Sequence, residues 1–203
     1  MTPGRGGGTG GLVVELWDLD KALVGQWEDV FSDIDEVTPR HGSILGRCAD
    51  AIVSPANSFG FMDGGLDLRY SQHFGWEVEK ALRRRLLAEH DGELPVGMAL
   101  VVPMAHDDVK YLISAPTMRV PSPVEHTVNA YLAFRAVLRA VRAFNADAGS
   151  ATISRVLCPG LGTGEGRMAP RRCALQMREA WEVCVEGRRL SHGGLAGGVR
   201  QHM

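Results

Sequence analysis

Asp50-Ala51-Ile52-Val53-Ser54-Pro55-Ala56-Asn57-Ser58-Phe59-Gly60-Phe61-Met62-Asp63-Gly64-Gly65-Leu66-Asp67 is a short apolar run that breaks into a Pro, an Asn and a glycine-rich loop before a new periodic pattern opens at Asp67. Ala51, Ile52 and Val53, bounded by turn residues, read as a strand covered on both faces. Gly60, Gly64 and Gly65 let the backbone turn sharply or come close to a ligand where a Cβ would clash. Asn57 brings amide donors and an acceptor, and Asp67 a carboxylate, both beside a predicted helix N-terminus. These are the parts of a site for a polar, phosphorylated ligand.

A second stretch has the same character. The strand predicted over residues 153–158 runs into Pro159-Gly160-Leu161-Gly162-Thr163-Gly164-Glu165-Gly166, followed by a helix. Glycines at alternate positions leave backbone N–H groups free to curl around an anion, and the helix dipole adds to the attraction. A plain surface turn is the simpler reading, but alternating glycines carry a cost in chain entropy that a mere connection does not require. No Lys-Ser/Thr pair follows, so this is not a Walker A loop, and the Rossmann spacing is missing. The glycines of residues 4–11 precede their strand and form no dinucleotide fingerprint.

Outward from these loops, residues 12–17 read as a strand. Leu23, Trp27, Val30 and Phe31 fall at helical spacing after it. Further strands are predicted over residues 34–38, 51–54, 98–102 and 111–115, the last two bounded by Pro103 and Pro116. Helices are predicted over residues 66–73, 78–89, 124–144 and 169–186. Strands alternating with helices imply a three-layer α/β fold whose mostly parallel sheet is covered on both faces. In such sheets the ligand crevice lies at the carboxyl ends of the strands, where both glycine-rich loops fall. Residues 1–10 and 187–203 are Gly-rich and read as a flexible lead-in and tail.

The 203 residues suffice for one substantial core. A hydrophobic fraction of 45%, with 23% charged residues, is that of an ordinary globular protein. A formal net charge of −2 gives no footprint for general nucleic-acid binding, and Arg83-Arg84-Arg85 reads as a solvated helix face. Cys48, Cys158, Cys173 and Cys184 are scattered, without zinc-site spacing, which suits a reducing compartment. With no membrane-length apolar run and no signal-peptide core, the expected location is cytoplasmic.

Taken together, the two loops resemble those of the macro domain, the ADP-ribose-binding module. The family's first loop, roughly Asn-Ala-Ala-Asn, a glycine run and Val-Asp, is matched by Ser54-Pro55-Ala56-Asn57 and Met62-Asp63-Gly64-Gly65-Leu66-Asp67. The interval from Asn57 to Asp67 equals that of the MacroD-like hydrolases. The second loop, typically Pro-Ala-x-Ser-Thr-Gly-x-aromatic-Gly, is matched by residues 159–167. The resemblance spans about residues 42–185. It implies a three-layer α/β/α sandwich with a mixed, mostly parallel sheet over residues 11–186. Residues 11–40 read as an extra strand–helix–strand element.

There are departures. Gly42-Ser43-Ile44 stands where the family has Gly-Asp-Ile, whose Asp takes the adenine amino group; Ser43 is a weaker acceptor than a carboxylate. Ser54 replaces the first Asn. Gly166 replaces the aromatic that packs on the distal ribose, leaving that role to Phe59 or Phe61.

The resemblance implies a metal-independent ADP-ribosyl hydrolase acting on ADP-ribosylated macromolecules, without a cofactor. Asp67 matches the carboxylate beside the distal ribose, and Asn57 the amide that holds its hydroxyls. Ser43, Ile44, Ala56, Phe59, Gly64, Gly65, Leu66, Gly160, Gly162, Thr163, Gly164, Glu165 and Gly166 match ligand-binding positions. Hydrolysis at an anomeric carbon passes through an oxocarbenium-like transition state, which a carboxylate stabilises while it activates a water. Plainer roles stand beside these: Asp67 as a helix cap, Asn57 as the closure of a turn. Arg119 and Arg167 are candidate phosphate partners; His41 and His73 are candidate acids or bases by residue type only. Asp63 either lines the pocket or repels phosphate.

The alternative is a non-catalytic reader of ADP-ribose or a related nucleotide, suggested by the changes at Ser43, Ser54 and Gly166. A third reading takes the acidic strand end at Asp18 and Asp20 as the ribose-holding strand of a Rossmann-type methyltransferase. No glycine-rich loop supports it.

Overall fold

A computed structural model describes residues 11–147, 149 and 152–189. The lead-in at residues 1–10 and most of the tail lie outside the described residues. The elements run β1 (Val13–Asp18), α1 (Lys21–Val30), β2 (Val37–His41), β3 (Ala49–Ser54), α2 (Gly65–Phe74), α3 (Glu77–Glu89), β4 (Leu100–Pro103), β5 (Val109–Ser114), α4 (Asn129–Asp147), β6 (Arg155–Cys158) and α5 (Pro170–Cys184). They form the three-layer α/β/α sandwich that the alternation predicts.

The sheet has the order β2-β1-β6-β3-β5-β4. Among the described residues, only the β4–β5 pair is antiparallel. The carboxyl ends of β1, β2, β3, β5 and β6 therefore share one edge, which both glycine-rich loops leave. Successive side chains of β3 alternate between the two cores. Ala51 and Val53 join the cluster formed with Trp27 of α1, Phe134 of α4 and Trp181 of α5. Ile52 joins Tyr70 of α2 with Leu82 and Leu86 of α3. Burial of β3 on both faces explains its unbroken apolar run.

The segment read as an extra element joins the main sheet: β1 lies inside it between β2 and β6, paired with both, and β2 forms one edge. Two elements start three or more residues later than the sequence reading has them. The second strand begins at Val37 rather than Ile34, because residues 31–37 leave α1 through turns in which Ile34 N–H donates to Phe31 O and Val37 N–H to Ile34 O. Helix α4 begins at Asn129 rather than Val124. Thr127 N–H closes a turn onto Val124 O, and the Thr127 hydroxyl accepts Asn129 N–H at 3.2 Å. That is the satisfaction of an orphan donor expected of a helix start. Among the described residues, no helix is long and apolar enough to cross a membrane.

Candidate functional site

The shared strand edge opens into a cavity of about 590 Å³, within the range of small-molecule sites. Residues at or just beyond the carboxyl end of each of the five co-oriented strands line it: Asp18 ending β1, Ser43 after β2, Asn57 after β3, Thr117 after β5 and Gly160 after β6. The first loop is tied to the segment after β5. Thr117 N–H donates to Ala56 O at 3.1 Å, the Thr117 hydroxyl to Pro55 O at 3.1 Å, and Ser58 N–H to Arg119 O at 3.1 Å.

Asp67 lies on the inward face of α2 with Tyr70 and Ser71, three and four residues on. That spacing buries the residue, which is 8% exposed. Burial pushes its pKa up to about 7, opposed by the Ser54 hydroxyl, which donates to Oδ1 at 2.6 Å. Asp67 is not the helix cap. Gly64 holds that position and offers no side-chain cap. The first N–H groups of α2 have no intrahelical partner, and Gly64, Gly65 and Leu66 line the cavity. Such an uncapped helix N-terminus is suited to an anion.

Asn57 also lines the cavity, and its amide does what the plainer reading foresaw. Nδ2 donates to Phe61 O at 2.8 Å, while Oδ1 accepts from Phe59 N–H at 3.1 Å and Phe61 N–H at 3.3 Å. The side chain closes the loop that carries Phe61 to the cavity.

In the second loop, Met168 N–H donates to Gly162 O at 2.9 Å, Arg167 N–H to Gly164 O at 3.0 Å, and Val124 N–H to Gly166 O at 2.7 Å. The last contact leaves no room for a side chain: a Cβ on Gly166 would stand 2.5 Å from Gly162 O and 2.6 Å from Val124 Cγ2. This close approach explains why a glycine stands here where the family has an aromatic. The helix dipole expected behind this loop is not at the cavity. Helix α5 begins at Pro170, which has no N–H to offer, and residues 167–170 do not line the wall.

Of the residues singled out from sequence, Ser43, Ile44, Ala56, Gly160, Gly162, Thr163, Gly164, Glu165 and Gly166 all line the cavity with those above. Phe59 does not. Its ring packs under Arg119, 5.1 Å from the guanidinium carbon, and Phe61 takes the wall position, with Arg83 4.3 Å from its ring. Arg119 is bound to Glu93 at 2.7 Å, and neither it nor Arg167 lines the wall. His41 sits against Leu19 O at 3.2 Å, and His73 packs on Phe74 and His106. Asp63 lines the cavity from within its loop.

Sequence reading missed Trp17, Asp18, Leu19, Asp20 and Arg69 as wall residues. The acidic strand end at Asp18 and Asp20 was the available signal for the first group; Arg69, two residues beyond Asp67 and so not on its face of α2, carried no local signal. Among the described residues, no three His, Cys, Asp or Glu side chains gather as metal ligands.

The macro domain family model matches residues 53–177. An uncharacterized protein of Aquifex aeolicus is 32% identical over 149 residues, covering 71% of this chain and 82% of that protein. Another from Aeropyrum pernix is 29% identical over 142 residues, covering 70% and 68%. Among solved structures, the macrodomain of Mycobacterium tuberculosis DarG superposes with a TM-score of 0.59 at 22% identity, covering 72% of this chain and 90% of that one. The Oceanobacillus iheyensis macrodomain with ADP gives 0.59 at 18%, covering 74% and 76%. Thermosipho africanus DarTG in complex with ADP-ribose gives 0.55 at 12%, covering 87% and 55%. The chain belongs to the macro domain family.

Proposed function

We propose that the protein binds ADP-ribose in this cavity and hydrolyses the bond between its distal ribose and a macromolecular acceptor. The observation that carries the reading is Asp67: a carboxylate buried at the start of α2, oriented by Ser54 at 2.6 Å, beside an uncapped helix N-terminus. The glycine-rich second loop on the same wall adds a second source of backbone donors for a diphosphate. The ADP and ADP-ribose complexes of the similar folds favour this ligand class.

In the reaction, the glycosidic bond at the anomeric carbon breaks as a water oxygen bonds to that carbon. The electron pair of the broken bond leaves with the acceptor group. Ionised Asp67 takes the proton from the water and balances the positive charge that develops on the ribose. A pKa raised to about 7 makes this carboxylate a stronger base than an exposed aspartate while leaving about half of it ionised near neutrality. Phe61 supplies an apolar wall in place of the family aromatic.

The test mixes the protein with mono-ADP-ribosylated protein and mono-ADP-ribosylated DNA and follows release of ADP-ribose. Wild type releases it and Asp67→Ala does not; equal release by the two defeats the catalytic claim. One observation favours the alternative of a non-catalytic reader. The Asn57 amide is committed to its own loop through three hydrogen bonds, which reduces what it offers a ribose. Tight binding of ADP-ribose with no release from either substrate establishes the reader instead.

A further inference from the structure

We propose that Asp18, at the carboxyl end of β1, reads the nucleoside end of the ligand, supplying from the neighbouring strand the carboxylate that is missing at Ser43. The inference rests on the ADP-ribose reading above. Strands β1 and β2 are parallel neighbours with Asp18 opposite His41, and Gly42 N–H donates to Asp18 O at 2.9 Å. Asp18 and the Gly42-Ser43 turn are therefore adjacent, and both line the cavity.

The Asp18 carboxylate also meets the second loop. Its Oδ2 accepts Gly160 N–H at 3.3 Å, and its Oδ1 accepts Asp20 N–H at 2.9 Å. A Cβ on Gly160 would stand 2.8 Å from that Oδ2, so glycine is what lets the loop and the carboxylate approach. A carboxylate has about four acceptor positions. These two bonds leave acceptor capacity for a ligand. Asp20 is less suited, because its Oδ1 caps α1 by accepting Ala22 N–H at 2.8 Å.

The charge of Asp18 decides which part of the ligand it meets. It repels phosphate and accepts from neutral N–H and O–H groups. The phosphates have their donors at the start of α2 and in the second loop, and the reacting ribose lies at Asp67. The end bounded by Trp17, Asp18, Ser43 and Ile44 is left for the nucleoside, whose donors are the exocyclic amine of adenine and the ribose hydroxyls. The Ser43 hydroxyl already accepts Leu45 N–H at 3.1 Å and carries no charge. A charge-assisted bond to Asp18 is the stronger anchor. Asp18 lies outside the segment that matches the family model.

Calorimetry on wild type, Asp18→Asn and the double variant Asp18→Asn/Ser43→Asp tests this with three ligands. They are ADP-ribose, its hypoxanthine counterpart (amine replaced by carbonyl) and its 2′-deoxyadenosine counterpart. Wild type should prefer ADP-ribose to at least one analogue by about tenfold or more, the worth of one hydrogen bond to a charged group. Which analogue is rejected tells whether Asp18 meets the amine or the hydroxyl. Asp18→Asn should erase that preference, and Ser43→Asp should restore part of it. The inference is overturned if Asp18→Asn keeps the preference, or if it weakens all three ligands equally, the mark of a structural role through Gly160. Wild type that binds ADP-ribose without preference also overturns it and leaves the ADP-ribose reading intact. Wild type that does not bind ADP-ribose removes both.

Discussion

Replacing Asp67 by Asn should make the protein more stable above neutral pH while abolishing turnover. Burial raises the Asp67 carboxyl from its ordinary value of 3.8 to about 7. The unfolded chain gives up this proton near pH 4, whereas the folded chain holds it to about pH 7. Between those values the folded state binds more protons, so stability falls as pH rises. Each pH unit is worth about 1.4 kcal/mol, so the ionised carboxylate costs the fold about 4 kcal/mol above pH 7. Asparagine keeps a carbonyl oxygen to accept the Ser54 hydroxyl, now bonded at 2.6 Å, and removes the charge. Its new NH₂ group must find a partner, at a cost of about 1–3 kcal/mol if it does not.

The variant should therefore be more stable than wild type by about 1–3 kcal/mol at pH 8.5, and the difference should swing by about 4 kcal/mol on going down to pH 4, where wild type becomes the more stable. Urea denaturation of both proteins across this range measures the difference directly. Parallel pH dependence in the two proteins would refute the buried, high-pKa Asp67. The catalytic half has its own readout: release of ADP-ribose by wild type should rise about tenfold per pH unit below pH 7 and level off above it, because the ionised form is the active one.

Ser54→Ala removes the one hydrogen bond that favours the Asp67 carboxylate, so the midpoint of the pH–rate profile should move upward; an unmoved midpoint would show that Ser54 does not tune Asp67. Gly166→Ala should destabilise the fold by about 1–3 kcal/mol, since its Cβ meets backbone and Val124. Gly164→Ala has open space around the new Cβ and should melt as wild type does; equal melting of the two variants would contradict the loop geometry. At the opposite sheet edge, Asp50 Oδ2 accepts Ser154 N–H, the Ser154 hydroxyl and Arg155 N–H, each at 2.8 Å. Burial opposes ionisation there, yet these bonds hold the Asp50 carboxyl below its ordinary range. Asp50→Asn should then cost about 1–2 kcal/mol at pH 7, a loss that fades as pH falls below about 4, followed by chemical denaturation.

What the sequence exposed was whatever depends on neighbours along the chain. The run Ala51–Ile52–Val53 named its strand because both faces are covered, and the interval from Asn57 to Asp67 follows from one loop and one helical turn. What it concealed was set by strand order. Nothing local to residues 13–18 says that β1 sits inside the sheet beside β6, yet that placement brings Trp17, Asp18 and Asp20 to the cavity wall. The choice between Phe59 and Phe61 was likewise not local. It is settled by the Asn57 side chain, which binds the backbone on both sides of Gly60, and by Arg83 and Arg119, which hold the two rings apart.

The charged side chains on the cavity wall are Asp18, Asp20, Asp63, Asp67, Glu165 and Arg69. Such a wall gives a diphosphate little long-range attraction, so phosphate affinity must come from hydrogen-bond donors at short range. Beside the Arg69 guanidinium and the Thr163 hydroxyl, backbone N–H groups supply them: those opening α2, left uncapped by Gly64, and those of the second loop. The carboxylates then act as a sorting device. In the proposed complex they confine the diphosphate between the Asp18 and Asp67 ends, and the nucleoside contacts of Asp18 then set the direction of the ligand. A site built from cationic side chains would bind the diphosphate more strongly and leave the direction of its two ends less defined. On the proposed reading the glycines fix where the diphosphate sits, and Asp18 fixes which end of the ligand is left to face Asp67.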